Sequence, residues 1–159
     1  MGEFFYLENM EKKKICFVCH ANICRSFSAE CFLKDFLSKA GRGDIDVISR
    51  GIYAQSYFEV PSKITNFLAS KNITQPPHTA TLLTSQDMQA CTLVLTMTEG
   101  QKEYILDNYA QFSDKVFTLH EFVYDKGQSI KDPISLTGRS FEKVLEEIYK
   151  TIKDLSKKI

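Results

Sequence analysis

Ile15-Cys16-Phe17-Val18-Cys19-His20-Ala21-Asn22-Ile23-Cys24-Arg25-Ser26 is an apolar run that breaks into a short polar loop and then into a helical pattern. Lys14 to Val18 is apolar on both faces, which predicts a buried strand of a parallel sheet. From Ser26 to Lys39 the apolar residues Ala29, Phe32, Leu33, Phe36 and Leu37 fall at helical spacing, and Gly41 supplies a stop. A strand that feeds a helix through a tight loop is half of a βαβ unit. In sheets built from such units, ligands bind beyond the carboxyl ends of the strands. Cys19 stands at that end.

The same alternation continues along the chain. Asp46 to Ser49 predicts a short second strand, and Pro61 to Lys71 a helix with Pro61 in its first turn. Thr84-Ser85-Gln86-Asp87 resembles a capping box for a further short helix. Thr92 to Met97 predicts a third strand, with Thr98 and Gln101 capping the helix that carries Tyr104 and Ile105. Lys115 to Leu119 predicts a fourth strand. Phe141, Val144, Leu145, Ile148, Ile152 and Leu155 form one stripe of a final helix, with lysines gathered at its carboxyl end. Right-handed crossovers then give a single-domain α/β three-layer sandwich. It has a four-stranded parallel sheet, helices on both faces and a ligand loop after the first strand.

Bulk properties narrow the function. The chain has 159 residues, 43% hydrophobic and 25% charged, which suits one domain with a sizeable core. Residues 1–9 read as an N-terminal extension and 10–159 as the domain, with Met10 as a natural start. Lys+Arg and Asp+Glu both count 20, so no overall positive field favours nucleic acid as a partner. No apolar run approaches the ~20 residues of a membrane helix, so no membrane partner is expected. Five cysteines, an odd number with four crowded between Cys16 and Cys31, do not make a disulfide scaffold; a reducing, cytoplasmic setting is expected.

A cysteine and an arginine separated by five residues, Cys19 to Arg25, suit the wrapping of backbone around a phosphate-sized dianion. A thiol is a strong nucleophile as the thiolate, which a helix N-terminus or a nearby cation favours. The backbone N–H groups of His20, Ala21, Asn22, Ile23, Cys24 and Arg25 form a nest for phosphate oxygens. Arg25 brings a planar fork that grips two oxygens, geometry a lysine lacks. Asn22 suits a left-handed backbone position. Ser26 is placed to hydrogen-bond the Cys19 thiolate. The leaving oxygen needs a proton, and Asp132-Pro133 is the best donor, since the proline holds the aspartate in extended backbone.

These motifs together resemble the low-molecular-weight protein tyrosine phosphatases, whose loop reads roughly V-C-x-G-N-x-C-R-S-P. Here the loop is Val18-Cys19-His20-Ala21-Asn22-Ile23-Cys24-Arg25-Ser26-Phe27. The resemblance spans about residues 13–157 and includes Ser49 with Gly51, His78, the Leu93 to Met97 strand, Lys115 to Leu119 and Asp132-Pro133. It implies a hydrolase that passes through a cysteinyl-phosphate, with Cys19 as nucleophile, Arg25 binding the transition state and Asp132 as general acid. It further implies that Asn22, Ser49 and His78 support the loop, and that Cys24 traps oxidised Cys19 as a reversible disulfide. The implied partners are a phosphorylated protein or small aryl phosphate as substrate and inorganic phosphate as product, with no cofactor and no metal.

Departures from the pattern carry expectations of their own. Ala21 replaces a glycine, so a positive φ there would be strained. Phe27 replaces a helix-start proline at little cost. Arg50 replaces a small residue beside the site, where it contacts substrate or faces water. Ile134 and Ser135 follow Asp132-Pro133 where many relatives carry aromatic rings, leaving Tyr57 or Phe58 as an alternative wall. The second half of the chain is most similar to the bacterial branch that includes protein-arginine phosphatases, but those carry threonine where Ile23 stands. Ile23 therefore favours phosphotyrosine, with protein-arginine phosphatase as the alternative.

Other readings fit less well. Cys16-x-x-Cys19 as a zinc or redox pair lacks a second spaced pair and ends a strand rather than starting a helix. Arsenate reductase chemistry needs two further redox cysteines after the nucleophile in a mobile segment, and beyond Cys31 there is only Cys91. A non-catalytic phosphate-binding module leaves the joint presence of Cys19, Arg25 and Asp132 without a reason.

Overall fold

The computed structural model describes residues 12–159; the extension expected over residues 1–9 and the start at Met10 lie outside them. β1 (Lys13–Cys19) is the hub of a parallel sheet. It pairs on one side with β2 (Ile45–Gly51) and on the other with β3 (Leu93–Thr96), which pairs with β4 (Val116–Thr118). The order among the described residues is β2-β1-β3-β4. The chain therefore leaves β1 in one direction for β2 and later returns to its other side as β3. That reversal opens a crevice at the carboxyl end of β1, where a ligand site is expected in such a sheet.

Period-two alternation splits β1 between two cores. Ile15, Phe17 and Cys19 pack with α1 (Arg25–Lys39), α2 (Ser62–Ser70) and α6 (Gly138–Ser156). Cys16 and Val18 face the opposite layer, with Met88 of α3 (Ser85–Ala90) and Ile105 of α4 (Glu99–Asn108). Cys16 and Cys19 thus lie on opposite faces of the sheet, which parts the pair a zinc or dithiol reading requires. The α6 stripe expected from the sequence is buried, from Phe141 to Leu155. Each such side chain contributes about 1.5–3 kcal/mol by leaving water.

Helix ends follow local chemistry. Thr84 and Thr98 close capping boxes with Asp87 and Gln101. Gly41 takes φ +67 at the end of α1, letting Arg42 N donate to Leu37 O at 2.9 Å. The structure differs from expectation in four elements. Strand β2 runs on to Gly51, because Gly51 also bridges to Leu82. Pro61 is the N-cap of α2, with ψ 144, rather than a residue of its first turn. A 3-10 helix spans Ala110–Lys115. Finally, β4 stops at Thr118 and Leu119 opens α5 (Leu119–Tyr124), since Thr118 and Glu121 close a third capping box.

Candidate active site

The loop from His20 to Cys24 leaves β1 and enters α1 with no side chain capping the helix. Among the described residues, none of the backbone N–H groups from His20 to Arg25 donates to a protein acceptor. They surround the mouth of a cavity of about 150 Å³ lined by Cys19, His20, Ala21, Ile23, Cys24, Arg25, Asp132 and Ile134. Unengaged amides at a helix N-terminus form an anion-binding bowl, and the thiol of Cys19 lies at its base.

The loop is fixed by Asn22, whose φ of +62 is left-handed. Asn22 Oδ1 accepts from Thr81 N at 3.0 Å, which sets the amide orientation. Its Nδ2 then donates to Ser26 Oγ and to Ser49 Oγ, both at 2.9 Å. Ser49 in turn donates to Glu30 Oε1 at 2.6 Å. Ser26 accepts from Asn22, so its own proton is available for Cys19 Sγ, 2.9 Å away. This directional chain aims the Ser26 hydroxyl at the Cys19 sulfur. His78 Nε2 bonds Asn22 O at 2.7 Å and stacks on Phe27 with ring centroids 4.0 Å apart.

Arg25 is 5% exposed. Its Nη1 donates to Ile130 O at 2.9 Å and its Nη2 lies 3.5 Å from Asp132 Oδ2. Asp132 comes in on the segment between α5 and α6, and its Oδ1 accepts from Ile134 N at 3.1 Å. One guanidinium thereby ties the loop to the carboxylate across the cavity. Burial, with the charges of Cys19 and Asp132 nearby, pushes the Cys24 thiol up to about 12. Among the described residues no cluster of His, Cys, Asp or Glu is arranged to hold a metal.

The structure brings together Cys19, the loop, Arg25, Ser26, Ser49, His78 and Asp132. It alters four expectations around them. Ala21 has no positive φ, because Asn22 takes the left-handed position. Phe27 is buried as the platform under His78, so the replaced proline has given way to a supporting ring. Arg50 does not line the cavity; partly exposed, it pairs with Asp87 at 3.0 Å and bonds Ser49 O at 2.8 Å. Tyr57 is 76% exposed and packs on Phe58 rather than lining the cavity.

Two contributors were missed. Glu30 ends the hydrogen-bond chain, yet in sequence it reads as half of a surface pair with Lys34. Tyr53 stacks on His20, centroids 5.4 Å apart and planes 16° apart, while its N–H bonds His20 O at 2.9 Å. Gly51 permits this approach. A Cβ there would stand 2.6 Å from His20 O. The ordered Ser49–Gly51–Tyr53 run at a strand end was the available signal.

A parallel sheet with an amide bowl after β1 and a cysteine, arginine and aspartate converging on it defines a cysteine-dependent phosphatase class. The family model for low molecular weight phosphotyrosine protein phosphatase matches residues 14–159, and the chain belongs to that family. A protein-arginine-phosphatase of Bacillus subtilis is 30% identical over 91% of this chain and 95% of its own length. A low molecular weight protein-tyrosine-phosphatase, PtpB, of Staphylococcus epidermidis is 35% identical over 92% of this chain and 96% of its own. Among solved structures, a mutant of YwlE from Bacillus subtilis superposes with TM-score 0.87 at 28% identity, covering 92% of this chain and 98% of that one. A YwlE arginine phosphatase whose active-site cysteine was changed to a phosphorylated serine gives TM-score 0.86 at 29% identity, covering 91% and 94%. The protein is a phosphatase of this family, acting on phosphorylated protein and releasing phosphate.

Proposed function

We propose that the chain hydrolyses phosphotyrosine in proteins, with small aryl phosphates as surrogates, through a phosphoryl group carried on Cys19. The observation that carries this reading is the bowl itself. The Cys19 sulfur lies among unengaged amides in a cavity that Arg25 and Asp132 also line, their side chains 3.5 Å apart. Cys19 attacks phosphorus, and Arg25 and the loop amides of His20, Ala21, Asn22, Ile23 and Cys24 hold the equatorial oxygens as charge redistributes. Asp132 protonates the departing phenolate, then takes a proton from the water that releases phosphate from Cys19. Ser26 stabilises the thiolate as it leaves. Asn22, Ser49 and His78 keep the loop in shape. The phosphorylated serine of the YwlE variant supports covalent transfer to the residue at this point of the loop.

The choice of phosphotyrosine rests on the walls of the cavity. Ile23 and Ile134 present apolar surface, and the His20–Tyr53 stack adds a flat aromatic side. A phenyl ring is well received by such surfaces. The guanidinium of a phosphoarginine carries N–H donors that isoleucine leaves without acceptors. The similarity to protein-arginine phosphatases favours a second reading, arginine-phosphate hydrolysis.

Steady-state hydrolysis of matched phosphotyrosine and phosphoarginine peptides separates the two. The expected outcome is a preference for phosphotyrosine, and Ile23→Thr should move it toward phosphoarginine; a wild-type preference for phosphoarginine refutes the first reading. Cys19→Ser should abolish turnover on either substrate.

Two expectations join the proposal. In the first, peroxide converts Cys19 to a sulfenic acid, and Cys24 displaces its hydroxyl as water to close a Cys19–Cys24 disulfide that thiol reductants reopen. In the second, the protein works in the cytoplasm, where a reducing poise suits five unpaired cysteines.

A further inference from the structure

Lys63 is a surface lysine by sequence, in the first turn of α2. Its position is not that of a solvated charge. Its Nζ lies 2.7 Å from Ile134 O, 2.8 Å from Leu136 O and 3.2 Å from Pro133 O. An ammonium has three protons, and each has a carbonyl of the segment that follows Asp132. The Nζ also stands over the ring of Phe141, 5.0 Å from its centroid. Phe141 is buried in α6. The charge also reaches the site, since Lys63 and Arg25 both oppose the upward shift of the Cys24 thiol.

The segment around Asp132 has few ties of its own. Upstream, Ile130 N donates to Met97 O at 2.8 Å and Ile130 O accepts from Arg25. Downstream, among the described residues, the only backbone bond from Pro133 to Leu136 is the turn Leu136 N to Pro133 O at 3.0 Å. The Asp132 carboxylate is about half exposed and, among the described residues, holds only the local Ile134 N contact and the long Arg25 contact. Its direction therefore depends on the backbone beneath it. Charged hydrogen bonds to three carbonyls are much stronger than one neutral turn bond.

We propose that Lys63 is a positioning residue for proton donation: by gathering the carbonyls of Pro133, Ile134 and Leu136 it aims Asp132 at the leaving oxygen. The inference rests on the proposed role of Asp132 as general acid. A misaimed acid leaves phosphate binding intact and, in transfer of the phosphoryl group to Cys19, slows only those substrates whose leaving group needs the proton, since small misplacements are costly in the chemical step.

The test compares two substrates on wild type, Lys63→Met, Lys63→Arg, Asp132→Ala and the Lys63→Met/Asp132→Ala double variant. Phenyl phosphate has a poor leaving group and needs the proton; 2,4-dinitrophenyl phosphate does not. Lys63→Met, which keeps an unbranched side chain beside Phe141, should lower kcat/KM, which ends at departure of the leaving group, at least about tenfold on phenyl phosphate, within the range general acids supply. On 2,4-dinitrophenyl phosphate kcat/KM should fall under about threefold, with inhibition by inorganic phosphate unchanged. Lys63→Arg should recover part of the phenyl phosphate rate. The double variant should be no slower than Asp132→Ala, because the two changes remove one function. Equal losses on both substrates, no loss on either, or additive losses in the double variant would overturn the inference. If Asp132→Ala itself slows both substrates alike, the assignment of the acid falls and the role of Lys63 falls with it. Selectivity in Asp132→Ala without selectivity in Lys63→Met removes the Lys63 inference alone.

Discussion

Asn22 has φ +62, and its side chain bonds Ser26, Ser49 and Thr81, residues of α1, β2 and the strand-like segment beside Gly51. A left-handed position tolerates asparagine or aspartate better than other non-glycine residues, so Asn22→Asp isolates the hydrogen bonding from the backbone. The aspartate still accepts from Thr81 N but donates to neither serine. Ser26 then turns its proton to the new carboxylate and away from Cys19, and a second anion stands near the sulfur. A fall in kcat of at least about tenfold is expected, as for loss of a group that stabilises charge in the reaction. Thermal unfolding should still be cooperative. An Asn22→Asp enzyme at wild-type kcat would show that the direction of the Ser26 proton does not matter. The sequence disclosed Cys19, Asn22, Arg25 and Ser26 because loop chemistry restricts residue type at short range. It did not disclose Glu30 or Tyr53, whose contacts close over 19 and 33 positions and leave no local pattern.

The β1–loop–α1 unit shows how far an element can be read before its surroundings intervene. Its strand and helix were legible because burial on both faces and helical spacing are strong signals. The Leu119–Tyr124 helix was not, because Val116, Phe117 and Leu119 mimic a strand that is cut short by the Thr118–Glu121 capping box. That box was present in the sequence, as were the boxes at Thr84 and Thr98. Phe27 marks the other limit: its replacement of proline looks neutral along the chain, yet its ring supports His78 from the first turn of α1. Phe27→Ala should destabilise the fold by about 3–5 kcal/mol as a large core deletion. It should also weaken inhibition by inorganic phosphate, since His78 no longer pins Asn22 O. Leu145→Ala on α6, also fully buried, is the comparison. It should cost about 2–5 kcal/mol and leave phosphate inhibition as it is. Equal phosphate inhibition in the two variants would reduce Phe27 to packing alone.

At the scale of the whole molecule, the same packing that places the site also buries unpaired thiols. All five cysteines are free and buried. Burial pushes Cys24 and Cys31 from an ordinary 9.0 up to about 12, and pushes Cys16 up as well. Cys91 moves the opposite way because the neighbouring Cys16 thiol favours its thiolate, which offsets part of the Cys16 effect. A raised folded value means the native chain keeps protons that the unfolded chain releases. The stabilisation is therefore complete below about pH 9 and is lost as pH climbs from 9 toward 12. With two thiols, the slope reaches about 2–3 kcal/mol per pH unit, since a tenfold change in proton affinity is worth about 1.4 kcal/mol. Tyr109 and Tyr124, raised from 10.0 by burial, add to the loss above pH 10. Urea unfolding at pH 8, 9 and 10 under reducing conditions measures it. The midpoint should hold between pH 8 and the approach to 9, then drop steeply. Cys31→Ala lies away from the bowl and removes one of the two protons, so it should flatten the drop by about half while leaving kcat at pH 7 near wild type. A midpoint that stays level to pH 10 would mean that these thiols ionise in the folded chain as readily as in the unfolded one, and that the core around them admits water.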